Sequence, residues 1–131
     1  SALGNGAQKA LDAFKPHNDV FKALVTDWQM KPAGGGRVAN DHADAAYDTA
    51  ILKAVVDCHT QIGAWLNSIV PAGSLRLYAS RLERAIGRIR SGETAYLVSP
   101  RVDSYHNVWF ELHEYLIRLA GRTRAEEEGA H

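Results

Sequence analysis

The sequence predicts an all-α, single-domain protein: an antiparallel bundle of four main helices with a short extra helix at its N-terminal end. Three observations carry this expectation. Apolar residues recur at a 3.6-residue rhythm in four long stretches, cap or stop residues bound each stretch, and the connections between the later stretches are short. A chain of 131 residues, 46% hydrophobic, is long enough to bury one core and too short for two ordinary domains.

The elements follow in order. Ala7, Leu11 and Phe14 sit at helical spacing ahead of Pro16, which restricts Lys15 to extended backbone, so a short helix is expected to end there. Asn18 is a possible cap, and Phe21, Leu24, Val25 and Trp28 form the stripe of a first main helix over about residues 17–30. Residues 31–40 contain Pro32 and three consecutive glycines and are expected to be a flexible linker. Asp41, with Asp44 three residues on, predicts the start of a long second helix over about 43–70, striped by Ile51, Val55, Cys58, Ile62, Trp65, Leu66 and Ile69. Pro71, Ala72 and Gly73 stop it. Ser74 caps a third helix, which runs to about residue 91 with Leu75, Tyr78, Leu82, Ala85, Ile86 and Ile89 on one face. Thr94 to Val98 reads as an extended loop packed on the bundle. Ser99 followed by Pro100 predicts the cap and first position of the last helix, which carries Tyr105, Val108, Trp109, Leu112, Leu116 and Leu119 towards about residue 125 and leaves a charged tail.

Composition narrows the classes of function. Fifteen basic residues balance fifteen acidic ones, so the positive field of a general nucleic-acid binder is missing and nucleic acid is disfavoured as a partner. No apolar run approaches the length of a membrane span, and charges at Lys9, Asp12, Lys15 and Asp19 interrupt the region where a signal peptide would be apolar. The lone Cys58 has no disulfide or CxxC partner, in keeping with a reducing, cytoplasmic setting and an inert buried thiol. No cofactor motif is present: the glycine run follows no strand and does not form a phosphate loop.

The histidines are the candidate functional residues. In the last helix His106, Phe110, His113 and Ile117 form a second stripe beside the apolar one, and in the long helix Leu52, Val56, His59 and Leu66 do the same. A helix apolar on two sides asks for more cover than one neighbour gives, which predicts self-association, a protein partner or a small ligand along His59, His106, Phe110, His113 and Ile117. A metal site would draw on His59 with His106 or His113 and a nearby carboxylate, although His106 and His113 are about 10.5 Å apart along a helix axis and could not share one ion. The alternative is half-buried histidines hydrogen-bonded to backbone or tyrosine. The third helix also carries Arg76, Arg81, Arg84, Arg88 and Arg90, which could bind phosphate or an acidic partner; their spread around more than one side and the break at Glu83 favour a solvated face.

One motif suggests an enzyme. In Arg101-Val102-Asp103-Ser104-Tyr105-His106 an arginine precedes a histidine by five positions on an all-α domain, a pattern that resembles the Arg–His motif of HEPN ribonucleases. That resemblance implies a pair meeting across a dimer and cleaving RNA without metal, with His106 transferring the proton and Arg101 stabilising charge on the phosphate. Arg37 and His42 repeat the spacing within the linker. The leading expectation remains a non-catalytic helical module, with no cofactor, that acts by association or ligand binding.

Overall fold

The computed structural model describes residues 2–69 and 73–121. It is mostly helical: α1 (Ala2–Gln29), α2 (Ala45–Ile69), α3 (Gly73–Arg90), α4 (Ala95–Val98) and α5 (Tyr105–Leu119), with a two-stranded sheet of β1 (Met30–Ala33) and β2 (Gly36–Ala39). Helix α1 packs on α2 and α5, α2 on α3, and α3 on α4 and α5. None of the described helices is long and apolar enough to cross a membrane.

The first two expected segments are one helix. Pro16 lies inside α1 and does not end it. A proline costs a helix its N–H bond and crowds the preceding turn, but Pro16 sits on the exposed side, where its loss disturbs no packing. The buried face runs straight through it: Ala7, Leu11, Phe14, Phe21, Val25 and Trp28 are spaced by alternating threes and fours apart from the step between Phe14 and Phe21, which Asn18 fills. Burial of this continuous face outweighs the local penalty.

The glycine-rich stretch is a hairpin and not a flexible linker. Met30 pairs with Ala39, Lys31 with Val38, Pro32 with Arg37 and Ala33 with Gly36. Gly34 and Gly35 have φ of 51° and 85°, the left-handed pair that a two-residue turn between antiparallel strands requires. A two-stranded ribbon has only edge strands, so Pro32 is tolerated there. Side chains at its base hold the ribbon down. Asn40 Nδ2 donates to Trp28 O (2.8 Å) and Asp48 Oδ1 (2.9 Å), and the Tyr47 hydroxyl reaches Asp27 O at 2.8 Å. His42, at φ 61°, lies over Trp28 with ring centroids 4.4 Å apart.

Three boundaries also shift. Helix α2 is capped by Asp44, whose Oδ1 accepts from Tyr47 N (3.1 Å), while Asp41 instead pairs with Lys31 at 3.1 Å. Residues 95–98 form a helical turn and not an extended loop, because Leu97 is thereby buried completely against α3 and α5. Ser99 closes that turn, and Ser104 caps α5 by accepting from Asn107 N (3.3 Å). Asn107 completes the connection by donating to Val102 O (3.1 Å), so the chain needs the intervening turn before α5 begins. Helix α5 stops at Leu119, ahead of Gly121 at φ 71°, and not near residue 125. The expected stop at Pro71-Ala72, the side chain of Ser74 and the charged tail lie outside the described residues.

The core joins every helix: Leu11, Phe14 and Phe21 from α1, Val55, Ile62 and Leu66 from α2, Leu82 and Ile86 from α3, and Tyr105, Leu112 and Leu116 from α5. Each such side chain, fully buried, contributes about 1.5–3 kcal/mol. Between α1 and α5 the packing is aromatic, with Phe14 stacked on Trp109 at 4.3 Å and Phe21 tilted against Tyr105 at 5.2 Å. Across that seam Trp109 Nε1 donates to Asn18 Oδ1 (2.9 Å).

Candidate functional site

Helices α2 and α3 enclose an open groove of about 490 Å³. On α2 its lining residues His59, Gly63 and Asn67 recur every four positions and therefore share one face; on α3 Arg76, Ser80 and Glu83 do the same at spacings of four and three. Leu66 and Ala79 supply an apolar floor. The middle of the groove is open because Gly63 has no side chain: a Cβ built there would meet nothing within 4 Å.

A three-residue relay closes one end. His59 Nε2 lies 2.7 Å from Glu83 Oε2, and His59 Nδ1 lies 2.8 Å from the Tyr105 hydroxyl. A carboxylate only accepts, so in the neutral imidazole Nε2 carries the hydrogen and donates to Glu83, while Nδ1 accepts from the phenol. The imidazole is 12% exposed and the Glu83 side chain 70% exposed, so the relay runs from the core to the surface. Burial pushes the Tyr105 phenol above its ordinary pKa, with the negative charge of Glu83 adding to the effect, so it stays protonated. Both ring nitrogens of His59 are engaged, and the phenol is buried. The imidazole therefore has no free nitrogen to act as base or metal ligand; what the relay presents to the groove is a positioned carboxylate.

At the other end Arg76 is exposed and makes no ion pair among the described residues. Two other arginines of α3 are already engaged. Arg81 donates to Asp103 (2.6 Å) and Glu111 (2.9 Å), fixing the turn before α5 and α5 itself to α3, and Arg88 pairs with Glu93 at 3.1 Å. Arg81 holds both the Asp103 and Glu111 carboxyls below the ordinary carboxylate range.

The remaining residues expected to matter fall in separate places. Arg101 is exposed in the turn before α5, its backbone N–H donating to Ser99 Oγ (3.2 Å), and His106 is exposed in the first turn of α5 with its ring 6.3 Å from Phe21. Phe110 is 54% exposed, His113 stacks on Phe14 at 4.5 Å, and Ile117 is buried. The second stripe of α5 is thus half covered by the chain itself, through His113 and Ile117, and in that of α2 Leu52 and Val56 pack on the core. His59 faces α3 and the start of α5, whereas His113 faces α1. Among the described residues no group of three or more His, Cys, Asp or Glu side chains could hold a metal ion. The second Arg–His spacing is split, Arg37 bonding Asp27 (2.9 Å) and His42 bonding Asp48 (2.8 Å).

Sequence reasoning found His59, read Arg76 as part of a solvated basic face, and missed Gly63, Asn67 and the roles of Glu83 and Tyr105. The available signal was the His59, Gly63, Asn67 series on one helical face, and Glu83 read only as an interruption of basic residues. In comparisons with known proteins, no family model matches the chain, and neither a curated protein nor a solved structure matches it significantly.

Proposed function

We propose that this chain is a non-catalytic helical module, its four long helices packed antiparallel as a bundle, that binds a small molecule in the groove between α2 and α3. The observation that carries this reading is the relay from Tyr105 through His59 to Glu83, which spends both imidazole nitrogens on holding a carboxylate at the groove. Such an arrangement suits recognition. The imidazole, the usual group for general acid–base work, has no nitrogen left to take or give a proton to a substrate. Self-association is less well supported, because only His106 and Phe110 of the second α5 stripe are exposed.

The test is a screen of a mixed library of amino acids, amines, carboxylates and nucleosides against the isotope-labelled protein by amide NMR. Binding is expected to move the amides of Gly63, Asn67 and Ser80, and Gly63→Leu, which fills open space, is expected to abolish those shifts. Shifts that cluster around Phe110, or that survive Gly63→Leu, would overturn the reading.

A further inference from the structure

The groove is electrically polarised along its length. Glu83 stands at one end and Arg76 at the other, seven residues apart on the same helix, a separation of about 10.5 Å along the axis. Between them the lining is neutral: Gly63, Leu66, Ala79 and Ser80. His59 occupies one carboxylate oxygen of Glu83, and a carboxylate has further lone pairs with which to accept a second donor. Arg76 has no ion-pair partner among the described residues, and its planar guanidinium matches a carboxylate.

The centre is kept bare at a cost in helix propensity. Glycine in a helix interior is less favourable than alanine, and no neighbour excludes a side chain at position 63. We infer that the groove takes a small zwitterion with well-separated charges, an amine at Glu83 and a carboxylate at Arg76, joined by a short aliphatic linker lying over Gly63. This rests on the reading of the groove as a ligand site and names the ligand class.

The experiment titrates three probes of matched length, ε-aminocaproate, hexamethylenediamine and adipate, against the labelled protein. The zwitterion is expected to shift the Gly63 and Ser80 amides and to bind about fivefold more tightly than either symmetric probe, the factor that about 1 kcal/mol for one exposed ion pair represents. Arg76→Gln and Glu83→Gln should each remove that advantage. Both are mild: Arg76 is exposed, and a Gln at 83 still offers an oxygen to His59 Nε2. Gly87→Ala on the same helix outside the groove should leave binding unchanged. Equal binding of the three probes, or an advantage that survives Arg76→Gln, overturns the zwitterion. If Gly63→Leu nevertheless abolishes binding of all three, the groove itself stands as a ligand site. If none of the three moves the groove amides, the zwitterion falls, and the mixed library decides the groove separately.

Discussion

At the scale of single residues, the helix-interior glycines are the clearest levers. Gly63 and Gly87 both have room for a methyl group and ordinary helical backbone, so alanine at either should stabilise the protein by about 0.5–1 kcal/mol, additively, in urea unfolding. His106 tests the enzymatic alternative. It lies on the surface five positions after Arg101, and the expected outcome is that neither the parent protein nor His106→Ala cleaves RNA in EDTA; metal-independent cleavage lost in His106→Ala would restore the ribonuclease reading. Individual side chains were legible in the sequence where a periodic face demanded them. Tyr105 and Leu66 are buried as their stripes required. Pairings between helices were not legible, since His59 meets Tyr105 across 46 residues and Glu83 across 24, and no local spacing encodes either.

At the scale of elements, sequence punctuation misled in two places for one reason: local propensity was weighed without the packing that competes with it. Pro16 read as a stop, yet the apolar face of α1 continues beyond it, and the glycine run read as slack although it supplies a turn for strands tied down at Asn40 and Tyr47. Pro16→Ala should therefore strengthen α1, restoring a backbone bond to Asp12, and should raise stability by about 2 kcal/mol, the helix penalty of proline less its benefit in the unfolded chain. A lower unfolding midpoint for this variant would contradict an uninterrupted helix. The clamp from α3 to α5 has a pH signature. Arg81 depresses the pKa of Asp103 and Glu111 in the folded chain, so their contribution is present above the ordinary carboxylate value and is lost as pH falls through the depressed values. Stability should decline below about pH 4, and Arg81→Met should flatten that decline. With both carboxylates substantially exposed, water and salt screen the clamp and keep the effect under about 1 kcal/mol.

At the scale of the whole molecule, the helical class was readable because the long stripes agree with their own burial, whereas the groove was not, because it is formed only where two helices face each other across a missing side chain. The seam between α1 and α5 has a consequence in time as well as in space. Asn18 and Trp109 are 91 residues apart, and closing a loop of that length costs about 4 kcal/mol of chain entropy before any contact rewards it. The pairs α1–α2, α2–α3 and α3–α5 join nearer neighbours and can assemble first, with the seam between α1 and α5 closing last. Kinetically, Asn18→Ala and Trp109→Phe should then leave the refolding rate almost untouched and speed unfolding in stopped-flow experiments. The indole–amide bond is on this account a brake on the opening of the chain and sets its lifetime once folded.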